Sequence, residues 1–308
     1  MTRGAQLTVP LTARRKDGLE RLKRASALTI LALGLAGILG ACAPSSVTAP
    51  GAPDERIMVW VSIDPQRYFV RRIGGDRVRV EVMVPAGFSP ATYEPKPSQI
   101  EGLSAADMYI RIGVPFEGAW MSRIMAVNEE MVVVDQSEGI ESIDGQDPHV
   151  WLSPRLAKSQ ARTIYTSLVE LDRSHESFYR ANLDAFLTDL DELDASIEQT
   201  LSGLESRKFM VFHPAWSYFA RDYDLEMMPI QMEGSDPSAA EMAELIQTAR
   251  ANGIKVIFAQ PEFSTQSART IAREIGGEVL LISPLAPDWM DNLRRVADSF
   301  SVALRNQE

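Results

Sequence analysis

Short runs of β-branched and other apolar residues recur along the chain, separated by stretches with helical spacing. In the first half they are Ile57–Val61, Val78–Val84, Met108–Ile112 and Met131–Val134. In the second half they are Phe209–Phe212, Glu226–Ile230, Val256–Ala259 and Val279–Ile282. Apolar strands alternating with helices are the pattern of parallel sheets covered on both faces. Between the halves, Tyr179, Leu183, Phe186, Leu190, Leu193, Ile197, Leu201 and Leu204 recur at intervals of four and three, with charged residues on the other faces. That period predicts one amphipathic helix. With Ser174 as its N-cap, it runs from His175 to Leu204, about 45 Å at 1.5 Å per residue. A coiled-coil seam would need matched flanking charges, which are lacking. The expected fold class is therefore α/β: two lobes, each a small parallel sheet flanked by helices, joined by one long rigid helix. The first lobe is expected over residues 55–171, the connecting helix over 172–206 and the second lobe over 207–308.

The N-terminal pattern changes the picture by assigning a compartment. Arg14, Arg15, Lys16, Arg21, Lys23 and Arg24 precede an uncharged run from Ala25 to Ala41. A basic segment followed by a short apolar one predicts an export signal over residues 1–41. The apolar run is short for a membrane span of roughly 20 residues. It ends Leu39-Gly40-Ala41-Cys42, which looks like a lipobox, so Cys42 is expected to carry lipid and hold the protein to a bilayer. Residues 42–54, rich in Pro, Ser, Ala and Gly, then form a flexible tether. Cys42 is the chain's only cysteine, which excludes an internal disulfide and a thiolate zinc site. Residues 1–41 hold seven of the 31 Lys/Arg and two of the 42 Asp/Glu, so the remainder has a formal charge of about −16. Such a surface repels nucleic acid, and no nucleic-acid partner is expected.

In open parallel sheets, ligands gather at the carboxyl ends of strands. Phe212 is followed by His213-Pro214-Ala215-Trp216, Ala259 by Gln260-Pro261-Glu262-Phe263, and Ile282 by Ser283-Pro284-Leu285. Val84 is followed by Pro85 to Ala91, and Val134 by an acidic loop that ends at Asp147-Pro148-His149-Val150-Trp151. The prolines stiffen these ends. Two of the chain's three histidines, His149 and His213, thus stand at strand ends in opposite lobes. Trp151 and Trp216 are expected to wall the cleft between them. His175, at the start of the long helix, is expected to be exposed.

These segments resemble the substrate-binding proteins of bacterial zinc and manganese ABC importers. The resemblance is carried by Ile73-Gly74-Gly75-Asp76-Arg77-Val78, Tyr93-Glu94-Pro95 with Pro97-Ser98-Gln99, and Arg111 to Glu117. It continues in Asp147 to Pro154 and Phe212 to Trp216, in order along most of residues 57–300. It implies two α/β lobes joined by a long helix, with a divalent metal ion, zinc ahead of manganese, held between them. It also implies an extracytoplasmic lipoprotein, in the periplasm or at the cell surface, that delivers its ion to the permease and ATPase of an importer. Family receptors place a histidine where this chain has Ala91 and an aspartate where it has Ser283. Many also carry a histidine-rich loop, whereas Gln136 to Gln146 has acids and no histidine.

Zinc prefers four ligands from Cys, His and carboxylate. His149 and His213 are the retained candidates, and Glu262, after a strand of the second lobe, is the candidate third. Asp147 is expected to orient His149, and Glu94 to order its loop. Met232, beside Glu233, would suit a softer ion such as Cu(I). The leading expectation is a metal receptor. The alternative is a degenerate relative that has lost ordinary metal binding and serves as an interaction protein or binds another ligand. No nucleophile elbow, His-Glu-x-x-His helix or phosphate-binding glycine loop appears, so no enzyme is expected.

Overall fold

The computed structural model describes residues 55–145, 147–231 and 234–305. The predicted signal and tether, Cys42, and the Met232–Glu233 pair lie outside the described residues.

All eight predicted strands form, with limits shifted by a residue or two. They are β1 (Ile57–Ile63), β2 (Val78–Val84), β3 (Met108–Arg111), β4 (Val132–Asp135), β5 (Lys208–Val211), β6 (Glu226–Pro229), β7 (Val256–Ala259) and β8 (Glu278–Leu281). They make two wholly parallel four-stranded sheets, ordered β2-β1-β3-β4 and β6-β5-β7-β8. The second order repeats the first. In each sheet the chain steps to one side after its first strand and then crosses back. The connections therefore diverge between β1 and β3, and between β5 and β7, which opens a crevice at the strand ends. Val59, Val61 and Ile63 on one face of β1, and Trp60 and Ser62 on the other, are all buried. Cover on both faces explains why β1 is a nearly continuous apolar run, whereas the edge strand β2 alternates and exposes Arg79.

The helices of the first half are α1 (Asp64–Gly74), α2 (Pro97–Gly102), α3 (Pro115–Val127) and α4 (Pro154–Leu171). Each has a proline in its first turn, where a missing N–H costs nothing. Then comes α5 (Glu176–Thr200), and the second half carries α6 (Ser217–Asp222), α7 (Ala239–Ala251), α8 (Gln266–Ile275) and α9 (Trp289–Arg305). Ser238 and Glu241 close the start of α7 with a reciprocal capping pair.

The connecting helix is shorter than its apolar stripe predicts. α5 has 25 residues, about 37 Å. Tyr179, Leu183, Phe186, Leu190, Leu193 and Ile197 form its buried face. Leu201 and Leu204 are buried too, but in the turn that follows, where Gly203 takes φ +66° and stops the helix. Ser174 is not the cap. Its hydroxyl donates to Asp172 Oδ1 at 2.6 Å, and His175 occupies the cap position. Asp172 also accepts from Tyr179 and pairs with His175, which is partly exposed. Against the effect of burial, these partners hold the Asp172 carboxyl well below the usual range.

The last helix crosses back and joins the halves. Trp289 of α9 stands edge-on to Phe69 of α1, ring centres 4.7 Å apart, and its indole N–H donates to the Trp151 carbonyl at 2.8 Å. Phe300 of the same helix packs on Phe209 and Phe258 of the second sheet. One apolar core therefore runs from the first sheet through α1, α4, α5 and α9 to the inner face of the second. A smaller cluster, with Met210, Phe212, Ile257, Ala268 and Ile271, lies on the outer face of the second sheet. Trp216 belongs to the main core, packed against Phe219 and Phe300, and does not wall the cleft. Among the described residues, no helix is long and apolar enough to cross a membrane.

Candidate metal centre

The two predicted histidines meet. His149 follows Pro148 and enters a buried turn, Val150–Leu152. Its backbone N–H donates to Asp147 Oδ1 at 2.9 Å, and its ring Nδ1 lies 2.7 Å from the same oxygen. The carboxylate can only accept, so Nδ1 carries the proton. From the second lobe, His213 is bracketed by Gln260, which accepts from its N–H at 3.2 Å and donates to its carbonyl at 2.9 Å. Its Nδ1 lies 2.7 Å from Gln231 Oε1. Gln231 donates through Nε2 to the Gly234 carbonyl at 2.9 Å, which orients its amide. Nδ1 of His213 is therefore the donor as well, and each ring is left with Nε2 as its ligating atom.

The ring centres are 5.3 Å apart at an interplanar angle of 70°. Two imidazoles bound through Nε2 to one tetrahedral ion, with Zn–N of about 2.0–2.1 Å, have centres about 5 Å apart. The pair already has that spacing. Tyr218 of α6 holds the lobes in register here, donating to the Asp147 carbonyl at 2.8 Å and accepting from Ile143 N–H at 3.0 Å. Trp151 adds a second tie, from its indole N–H to the Pro284 carbonyl at 2.8 Å.

The electrostatics keep His213 ready for a cation. Burial, reinforced by the neighbouring His149, pushes the His213 imidazole down to about 4. It is therefore neutral at physiological pH. Burial alone would raise Asp147, but the hydrogen bonds and charge of His149 hold its carboxyl below the usual range. An ionised carboxylate behind the His149 ring fixes its tautomer and orientation.

Both rings line a cavity of about 170 Å³ between the lobes, together with Ala91, Glu262, Trp151 and Phe263 among others. Phe263 stacks on the His213 ring at 4.9 Å. Ala91 brings a methyl group to the wall. Ser283 turns away, its hydroxyl donating to Glu262 Oε1 at 2.7 Å. Burial raises the Glu262 carboxyl, and its other oxygen is buried with no hydrogen-bond partner among the described residues. Glu262 thus shares the cavity, yet among the described residues no three His, Cys, Asp or Glu side chains gather closely enough to hold an ion. Glu94 is exposed. Its loop is tied instead by Tyr93, which donates to Gln99 Oε1 at 2.6 Å, and by Gln99, which donates to the Met83 carbonyl at 2.7 Å.

Sequence reasoning did not single out Gln231, Gln260 or Tyr218. Nothing in a lone glutamine or tyrosine marks it as the support of a histidine. Position beside a strand end was the only available signal.

The family model described as the periplasmic zinc-uptake complex component A, ZnuA, matches residues 59–303. The chain belongs to the ZnuA family. Among relatives, the high-affinity zinc uptake system protein ZnuA of Bacillus subtilis (strain 168) is 27% identical over 270 residues, covering 80% of this chain and 85% of that protein. A putative metal-binding protein of Chlamydia muridarum is 30% identical over 253 residues, covering 79% and 90%. A crystal structure of ZnuA matches with a TM-score of 0.79 at 47% identity, covering 80% of this chain and 99% of that one. A ZnuA deletion mutant with zinc bound matches with a TM-score of 0.79 at 46% identity, covering 82% and 100%. ZnuA-family proteins are extracytoplasmic solute receptors of metal-uptake systems and not enzymes. Membership does not favour the interaction-protein alternative.

Proposed function

We propose that this protein is the zinc receptor of an ABC importer, binding its ion between the lobes and passing it to a membrane permease powered by a partner ATPase. The observation that carries the reading is the histidine pair. Two imidazoles from opposite lobes stand at the spacing one tetrahedral ion requires, each with Nδ1 engaged. A bridging site of that kind senses both lobes at once. Glu262 is the carboxylate nearest to serving as a further ligand or counter-charge. A nitrogen-rich pair favours zinc over manganese, which prefers oxygen donors. The zinc-uptake relative in Bacillus subtilis and the zinc-bound ZnuA structure support the same ion.

The test is calorimetric titration of purified protein with Zn(II) and Mn(II). One zinc should bind, more tightly than manganese, and the His149→Ala/His213→Ala double variant should lose at least about 100-fold in zinc affinity. Undiminished zinc binding in that variant would place the site elsewhere. We also propose that Cys42 carries the lipid anchor. Cys42→Ser should move the protein from membrane to soluble fractions, and an unchanged partition would sink that part of the reading.

A further inference from the structure

The histidines supply two ligands, whereas zinc takes four. The remaining lining does not make up the count. Ala91 has nothing to donate, Ser283 is engaged with Glu262, and Glu262, though it lines the cavity, does not gather with the two histidines closely enough to complete a shell among the described residues. The cavity is nevertheless larger than an ion needs. Two waters completing the shell would occupy only part of the 170 Å³ present. The rest is walled by Pro90, Val114, Pro115, Trp151, Phe263 and Leu285. Water held there would lack the two to four polar partners that an ordered water requires. Unmet coordination and unfilled apolar space therefore adjoin each other in one chamber.

We infer that the cavity takes a divalent cation together with a small bidentate chelator. His149 and His213 bind the cation through Nε2 from opposite sides. The chelator supplies the other two donor atoms and lays its apolar body against the proline and aromatic walls. The Glu262 oxygen that has no hydrogen-bond partner among the described residues supplies counter-charge to the cation. This rests on the receptor reading of the same cavity and refines its cargo from a bare ion to a small metal complex.

The experiment combines calorimetry with native mass spectrometry. Zn(II) is titrated alone and then with one equivalent of 2,2′-bipyridine, a flat neutral nitrogen chelator with an apolar body. The expected result is weak binding of zinc alone, at least about a tenfold gain in apparent affinity with bipyridine, and a protein–zinc–bipyridine mass of one each. Ala91→His, which adds an imidazole and narrows the chamber, should tighten zinc alone and erase the bipyridine gain. Tight binding of zinc alone, with bipyridine only stripping it, would overturn the inference and leave the receptor reading standing. So would weak zinc binding that bipyridine leaves unchanged, because water would then complete the shell. If the protein binds neither zinc nor its bipyridine complex, both readings fall.

Discussion

The two sheets share one strand order, yet their crevices are used in opposite ways. In the first lobe the gap between β1 and β3 is bridged by hydrogen bonds. Ser62 donates to Glu117 Oε1 at 2.6 Å and bonds Tyr109, and Glu117 also accepts from the N–H groups of Ile112 and Gly113 at 2.8 and 2.7 Å. In the second lobe the gap between β5 and β7 is open to the cavity, with His213 and Glu262 at its mouth. Each crevice holds a carboxyl group, buried in Glu117 and half-buried in Glu262, whose affinity for its proton is raised by burial. Glu117 is met by three donors. Among the described residues, Glu262 is met by Ser283 on one oxygen and has no hydrogen-bond partner on the other. A repeated topology therefore offers two places for a ligand, and among the described residues it is the second that holds a carboxylate oxygen left unsatisfied.

The sharpest way to break this comparison is to remove the two carboxylates in turn. Glu117→Ala strands two backbone N–H groups and a hydroxyl in the core, and should cost about 3–5 kcal/mol of stability by urea unfolding. Glu262→Gln should change the metal-free protein by less than about 1 kcal/mol. Equal losses would show that both carboxylates are structural.

A smaller effect separates the histidine of the open crevice from the rest of the fold. Unfolded His213 takes up a proton near its ordinary 6.5, whereas in the folded protein it does so only near 4. Between those values the unfolded chain holds more protons, so stability falls as pH drops through that window. The contribution is on the order of 2–3 kcal/mol. His213→Gln should flatten the dependence of the metal-free melting temperature between pH 6.5 and pH 4. An equally steep curve in the variant would assign the loss to other groups.

The smallest expected effect tests the supports behind the rings. His149 leans on a carboxylate and His213 on an amide. Asp147→Asn should weaken zinc binding by about tenfold while leaving the ring in place. Zinc affinity equal to that of the unaltered protein would mean that Asp147 positions the ring without tuning it.

Much of the architecture is legible in the residues. Parallel strands buried on both faces, such as Val59 to Ile63, cannot avoid being apolar runs, and their limits follow. The α5 stripe is equally plain, but its end is not. Leu201 and Leu204 keep the helical interval because the turn packs on the same core, and only Gly203 marks the change. His149 and His213 stand out by type and position. Their surroundings do not, because Gln231 and Tyr218 act through contacts 18 and more than 70 residues away in sequence. Trp216 misled for the opposite reason: nearness to a histidine along the chain says nothing about which side of the strand end the ring takes.

The return of α9 to the first lobe has a consequence in time. Phe69 meets Trp289 across about 220 positions of chain. A polypeptide delivered N-terminus first can lay down its opening sheet early, but the packing beneath that sheet stays incomplete until the final helix arrives. The opening half must therefore wait, its aromatic residues uncovered and within reach of proteases and holdases, while everything downstream is made. Loss of the seventeen residues of α9 would not merely shorten the molecule; it would leave its beginning unfinished.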